Sequence, residues 1–320
     1  MTTQTNRQFL LAKRPVGAAT RETFTYQEVP VGEPATGQIL VKNEYLSLDP
    51  AMRGWMNEGK SYIRPVAIDE VMRAGGIGVQ RYWQGAADDQ STVFTRIDPG
   101  LAPLETWLNT LGMPGMTAYF GLLEVGLPKP GDTVVVSGAA GAVGQTVGQV
   151  AKKLGCRVVG IAGGKEKCDY VVNELGFDAC IDYKNSAVKD GLKQYCPNGV
   201  DVYFDNVGGE ILDTVLTRIN MKARIVICGA ISQYNNTTPV KGPSNYMALL
   251  VNRARMEGMV VFDYAPRYQE GIAKLAGWLK DGSIKSRTDV VDGLENFPAA
   301  LLMLFEGKNF GKLVLKVAEA

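Results

Sequence analysis

The stretch Thr133–Gly144, TVVVSGAAGAVG, constrains this chain more than any other part of it. Thr133-Val134-Val135-Val136 is a short β-branched run of the kind that forms a buried parallel strand. It enters three glycines, Gly138, Gly141 and Gly144, and Gln145 to Leu154 then carries apolar residues at helical spacing. Strand, glycine turn and helix aim backbone N–H groups at a pyrophosphate, and the helix dipole favours the anion. The spacing is G-x-x-G-x-x-G, with Ala139 where the strict G-x-G-x-x-G pattern has its first glycine. A turn of this kind also serves as a tight-packing device, so the flanking sequence has to decide.

From Val134 to about Ile231 short β runs alternate with amphipathic segments. The strands fall at Val134–Val136, Arg157–Ile161, Ala179–Ile181, Asp201–Phe204 and Ala223–Cys228, with helices such as Lys165–Leu175 and Gly209–Ile219 between them. That rhythm predicts an α/β domain with a doubly wound parallel sheet. Gly258–Phe262 reads as a last strand, followed by a helix over Tyr268–Leu279. The first 110 or so residues differ: Phe24–Val29, Gln38–Leu46 and Ser91–Ile97 read as strands without alternating helices, an all-β, barrel-like domain. Near the C-terminus a helix, Phe297–Phe305, and a strand, Gly311–Val317, return to that character. A chain of 320 residues with 46% apolar content supports two such domains. The expected division is 1–112 with 285–320 for the β domain and 113–284 for the parallel-sheet domain.

Several function classes drop out. The net charge is +1 with no basic run, so neither nucleic acid nor an anionic membrane is indicated as a partner. No apolar stretch approaches a membrane span, and MTTQTNRQFLLAKRP lacks a signal-peptide core. The five cysteines form no C-x-x-C pair, which suits a reduced, cytoplasmic protein. The sequence contains no histidine. Ser-His-Asp and Cys-His chemistry are thereby excluded, and no metal site is expected. Proton transfer falls to tyrosine, lysine, a carboxylate, water or a cofactor hydroxyl.

In NAD sites an acid about 20 residues past the glycines holds the ribose 2′-OH. Here the second strand ends in Gly163-Gly164-Lys165-Glu166-Lys167. Two glycines stand where the acid would, and two lysines follow, which favours the 2′-phosphate of NADP. Glu166 would take the acid's place if the strand ended later, and Lys165 and Lys167 also read as a solvated helix turn.

Five further segments carry a resemblance: Tyr45–Gly54 (YLSLDPAMRG), Leu111–Tyr119 (LGMPGMTAY), Tyr203–Gly209 (YFDNVGG), Cys228–Asn235 (CGAISQYN) and Gly307–Lys312 (GKNFGK). With the opening stretch they span nearly the whole chain. The sequence resembles the zinc-independent branch of the medium-chain dehydrogenase/reductase superfamily that contains NADPH-dependent alkenal/one and 15-oxoprostaglandin reductases and the bacterial curcumin reductases. The resemblance implies a Rossmann domain joined to a GroES-like β-barrel, and NADPH as cofactor. It implies that Gly141, Ala142, Val143 and Gly144 hold the pyrophosphate, and that Gly164, Lys167 and Tyr183 hold the 2′-phosphate. Asn206 would lie near the nicotinamide ribose. Cys228, Gly229, Ile231, Ser232 and Tyr234 would wrap the nicotinamide, with Met259, Val261 and Phe262 across the cleft and Asn309 reaching in from the C-terminal segment. Tyr234 is the residue singled out for chemistry, and Tyr45, Arg53, Met113 and Tyr264 are candidates for lining the substrate slot. Arg53 reads more often as an inter-domain ion pair than as a substrate clamp.

The chain departs from the family in one place. Ala74–Val79 leads directly into Gln80-Arg81-Tyr82-Trp83, where such proteins have a further passage of roughly two strands. Losing it would expose unpaired strand edges, so an omitted segment is the favoured reading. Ala51 also replaces a frequent aromatic. The expected activity is hydride transfer from NADPH to the β-carbon of an α,β-unsaturated ketone or aldehyde, with Tyr234 or a ribose hydroxyl holding the enolate. A quinone reductase and an inactive cofactor-binding sensor are the alternatives. A homodimer formed through the cofactor sheet, with Met259–Phe262 as an edge strand, is the expected assembly.

Overall fold

The computed structural model of the chain describes residues 5–83 and 95–317. Along the chain the strands are β1 (Thr5–Leu11), β2 (Phe24–Pro30), β3 (Ile39–Ser47), β4 (Gly76–Trp83), β5 (Thr133–Ser137) and β6 (Arg157–Ala162). They continue with β7 (Ala179–Asp182), β8 (Val200–Asp205), β9 (Ile219–Ile227), β10 (Arg255–Gly258), β11 (Thr288–Asp292) and β12 (Lys312–Lys316). The chain divides into two compact units. One holds residues up to Leu108 with Asp289–Glu306 and everything from Leu313; the other holds Asn109–Thr288 with Gly307–Lys312.

In the second unit six parallel strands form one sheet in the order β10-β9-β8-β5-β6-β7. Every residue of β5 is buried, as a central strand covered on both faces requires. The helices Ala142–Lys153, Lys165–Asn173, Val188–Tyr195 and Gly209–Leu216 connect successive strands. The order reverses between β5 and β8, and ligands bind at the carboxyl ends of strands beside such a reversal. The core on one face gathers Val135, Val159, Ile181, Tyr203, Val215 and Ile225.

Gly258–Phe262 is not the last strand: β10 is Arg255–Gly258, and its ladder with β9 ends at the pair Gly258–Ile227. Met259 and Val260 lie outside any element, and a 3-10 helix, Val261–Arg267, follows, in which Val261 is buried while Phe262 is exposed. A short apolar run has no period that separates a strand from a turn packed on a helix.

The first unit has two antiparallel arrangements. β1 pairs with β2 from Thr5–Pro30 to Leu11–Phe24, and a four-stranded sheet runs β11-β12-β3-β4. Its core is an aromatic cluster in which Phe24 meets Phe297 edge-on at 5.0 Å, with Phe9 against both and Leu48, Met52 and Leu301 around them. The returning segment supplies β12, whose Val314–Lys316 pairs with Ser47–Tyr45 of β3. Of the strand expected at Ser91–Ile97, residues 91–94 lie outside the described residues, and 95–97 are not in a strand. The abrupt junction at Gly78–Gln80 falls inside β4, which runs across it as the terminal strand of its sheet among the described residues and pairs with β3 through two register shifts.

Candidate active site

The glycine turn owes its shape to close contacts. The chain leaves β5 at Ser137, bends at Gly138 with φ +61°, and enters the helix Ala142–Lys153 with Gly141 as N-cap. A Cβ on Gly144 would lie 2.3 Å from the Gly138 carbonyl oxygen and 2.8 Å from Ala139 Cα, so the helix starts directly on the strand exit. Ala139 is fully buried, and its methyl carbon lies 2.8 Å from where a Cβ on Gly160 would be. The glycine absent at 139 is compensated on the neighbouring strand. The first main-chain bond into the helix is Gln145 N–H to Gly141 O at 3.0 Å, which leaves the amides of Ala142, Val143 and Gly144 at the positive end of the dipole. Segment 307–312 lies against this turn: Gly311 bridges Gly141, and its N–H donates to Ala140 O at 2.9 Å. Asn309 Nδ2 donates to Gly311 O at 3.0 Å, so this side chain braces its own turn.

At the end of β6, Gly164 has φ +101° and donates its N–H to Asp182 Oδ1 at 2.8 Å. The Tyr183 hydroxyl stands over Gly163, where a Cβ would come within 2.8 Å of it. Burial first, then Asp182, raises the Tyr183 phenol above its ordinary range. Lys167 Nζ donates to Gly307 O at 2.7 Å, while Lys165 turns to Asp169 at 2.5 Å. Gly163, Gly164, Lys167, Tyr183 and Gly307 therefore share one corner, and no carboxylate occupies the glycine positions. Sequence reasoning missed Asp182. Its signal was an acid ending the third strand of the sheet, one residue before Tyr183. Desolvation works to raise its pKa, but bonds from the Asn185 side chain and from the amides of Gly164, Lys184 and Asn185 outweigh it and lower the value.

The end of β8 organises the nicotinamide-side candidates. Asn206 donates its N–H to Ser137 Oγ at 2.9 Å and its Nδ2 to Ser137 O at 2.7 Å. The amides of Cys228 and Gly229 donate to Asp205 O at 2.9 and 3.1 Å, and Ile231 N–H reaches Asn206 O at 3.3 Å. Ser232 Oγ donates to Val207 O at 2.6 Å. Tyr234 curls back on its own strand end, where its hydroxyl accepts the Ala230 N–H at 3.1 Å. Met259 N–H donates to Ile227 O, and its methyl reaches the face of Gly121 beside Phe204. Val261 O accepts the Tyr268 hydroxyl at 3.1 Å, and Phe262 projects outward.

The four substrate-slot candidates fare differently. Tyr264 stacks flat on Phe120 at 5.0 Å with an interplanar angle of 6°, and burial raises its phenol. Met113 opens the helix Met113–Phe120 and is half-buried. Tyr45 sits on β3, in the first unit, half-buried. Arg53 is 3% exposed and its guanidinium is taken up by Gly17 O, Pro15 O and Asn57 Oδ1, all in the first unit. It clamps a loop, and no carboxylate pairs with it among the described residues.

Residues 7–80 match the family described as the N-terminal domain of oxidoreductase, and residues 142–277 match the family described as zinc-binding dehydrogenase. Among the described residues no group of three or more cysteines, aspartates and glutamates is placed to hold a metal ion. The chain is 41% identical to the NADPH-dependent curcumin reductase of Escherichia coli (strain K12), over 98% of each chain. It is 42% identical to the NADP(+)-dependent 2-alkenal reductase of Nicotiana tabacum, over 91% of this chain and 90% of that one. The crystal structure of CurA from Vibrio vulnificus in complex with NADPH superposes with a TM-score of 0.91 at 43% identity, covering 98% of this chain and 100% of that one. The fold and the glycine turn define a nucleotide-dependent oxidoreductase built from a Rossmann sheet and a GroES-like domain. The chain belongs to the medium-chain dehydrogenase/reductase superfamily, in the branch of the curcumin and alkenal reductases. The alignment with the E. coli reductase spans 343 positions against 320 residues here, so that relative carries positions with no counterpart in this chain.

Proposed function

We propose that this protein is an NADPH-dependent reductase of the carbon–carbon double bond in α,β-unsaturated ketones and aldehydes. The carrying observation is the corner of Gly163, Gly164, Lys167 and Tyr183, with glycines rather than an acid ending β6, beside a helix N-terminus that only glycine at 144 permits. These residues fit NADPH: glycine at 144 lets the helix start directly on the strand exit, which leaves the amides of Ala142 to Gly144 at the positive end of its dipole, and Lys167 supplies a cation at the end of β6. The amides of Ala142 to Gly144 take the pyrophosphate, and Lys167, Gly164 and Tyr183 take the 2′-phosphate. Asn206 and the segment Cys228–Tyr234 orient the nicotinamide, with Met259 and Val261 opposite and Asn309 bracing the returning segment. NADPH supplies the hydride.

The protein's own contribution is position and proton control. Tyr234 donates its hydroxyl to the substrate carbonyl oxygen as negative charge develops there; the Ala230 N–H it accepts polarises the hydroxyl as a donor. Tyr264 on Phe120 forms one wall of the substrate slot, with Met113 as further lining. The relatives' shared chemistry, reduction by NADPH with an alkenal or curcumin as substrate, supports this reading.

A second copy of the chain pairs at the edge of the cofactor sheet, where β10 is the terminal strand among the described residues. Tyr246, Met247, Leu250 and Val251 are 49–68% exposed on the neighbouring helix Met247–Asn252 and its approach. A monomer by light scattering would remove that assembly. No helix among the described residues is long and apolar enough to cross a membrane, and all five cysteines are unpaired, which supports the reducing cytoplasm. Rates of NADPH oxidation with a short alkenal, a diaryl dienone and a quinone test the activity. Turnover of the enones supports the reading; turnover of the quinone alone, or tight NADPH binding with no turnover, contradicts it.

A further inference from the structure

Asp205 is fully buried at the end of β8, and one of its oxygens is crowded. Oδ1 accepts Ser137 Oγ at 2.9 Å, the Tyr203 hydroxyl at 2.8 Å, and the amides of Val207 and Gly208 at 3.0 and 2.9 Å. Oδ2 is buried with no hydrogen-bond partner, and no lysine or arginine pairs with the group among the described residues. A buried carboxylate with donors on one oxygen and no cation beside it is expensive and persists where something offsets its charge. Its charge is felt nearby: burial first, and Asp205 second, push the Cys228 thiol up to about 12 and raise the Tyr203 phenol well above its ordinary range. Through its backbone carbonyl the same residue holds the amides of Cys228 and Gly229, and through Ser137 it holds Asn206. It thus backs the residues proposed above to surround the nicotinamide.

We propose that Asp205 is a buried countercharge for the oxidised nicotinamide, favouring NADP+ over NADPH in the site and so favouring hydride departure. The inference rests on the cofactor placement proposed above. In that reaction a C–H bond of the dihydronicotinamide breaks and a C–H bond forms at the substrate's β-carbon. The hydride carries both electrons, the double bond is reduced, and a proton from solvent completes the α-carbon. One positive charge is left on the ring, and a fixed anion behind it offsets that charge without reorganising. Neither the glycine turn nor the 2′-phosphate corner distinguishes the two redox forms, because the phosphates are the same in both.

The test is the dissociation constant for NADP+ and for NADPH, measured by calorimetry on the wild type and on Asp205→Asn. The amide keeps an oxygen for the four donors and removes the charge. The expected result is a loss of NADP+ affinity on the order of tenfold, the scale of one charge–charge interaction across a protein interior, with NADPH affinity nearly unchanged. Equal weakening of both, a selective loss of NADPH, or no change would overturn the proposal. If Asp205→Asn does not fold, Tyr203→Phe decides: it removes one donor and leaves the charge, so the preference for NADP+ should hold or grow, and a fall would overturn the proposal. Failure of the wild type to bind either dinucleotide would instead count against the cofactor assignment itself.

Discussion

The Lys167 ammonium donates to the Gly307 carbonyl at 2.7 Å, which ties the turn after β6 to the segment that carries Asn309 and Gly311. The same ammonium is the cation proposed for the 2′-phosphate, so one side chain links cofactor identity to the returning segment.

Lys167→Ala should therefore raise the KM for NADPH by about tenfold or more, the scale of a lost charge-assisted contact to phosphate, and leave the KM for NADH nearly untouched. Steady-state kinetics with both cofactors checks this. Equal effects on the two would remove Lys167 from the 2′-phosphate.

Gly144→Ala puts a methyl 2.3 Å from the Gly138 carbonyl oxygen, where backbone has to move. Overpacking of this kind costs about 1–3 kcal/mol, and the amides at 142–144 are displaced with it. Urea unfolding should show the lost stability and calorimetry a loss of NADPH binding. Unchanged binding would separate the turn from the pyrophosphate.

Tyr234→Phe removes the acceptor of the Ala230 N–H and the proposed donor to the substrate oxygen. The expected loss is about a hundredfold in kcat, typical of one lost donor to a developing oxyanion, with NADPH affinity retained. An unchanged kcat would pass the role to a ribose hydroxyl.

Arg53→Met tests the reassignment of that residue. Its guanidinium holds the carbonyls of Pro15 and Gly17 and the Asn57 side chain, so the variant should lose about 2–3 kcal/mol of stability from stranded buried acceptors. The substrate KM should stay close to wild type. A raised substrate KM with unchanged stability would restore Arg53 to the slot.

Asp182 sets a pH dependence. Its folded-state pKa is lowered by the hydrogen bonds that overcome its desolvation. A depressed carboxylate contributes stability above its unfolded value, near 3.9, and that contribution is lost as pH falls through the folded value. Asp182→Asn should therefore be less stable than wild type at neutral pH, with the gap closing in acid. A gap independent of pH would contradict this.

The strand–turn–helix at 133–153 was legible because its determinants are local: a β-branched run, then glycines at positions where backbone meets backbone. The glycines at 163–164 were legible for the same reason. Asp205 was visible only as one letter of a motif, since its donors Ser137 and Tyr203 come from two strands and its role exists only once the sheet is assembled. Asp182 was missed because its partner, Gly164, lies 18 residues back. The guanidinium of Arg53 holds main-chain carbonyls 36 and 38 residues away, contacts that no sequence pattern announces. Met259–Phe262 was misread because an apolar run of four fits a strand or a 3-10 turn equally.

The central claim is hydride delivery to the β-carbon of an enone. The direct measurement is NMR of the product formed with NADPH deuterated at the transferring position. One deuterium on the carbon β to an intact carbonyl is the predicted result. Deuterium on the carbonyl carbon, with an alcohol as product, would contradict it.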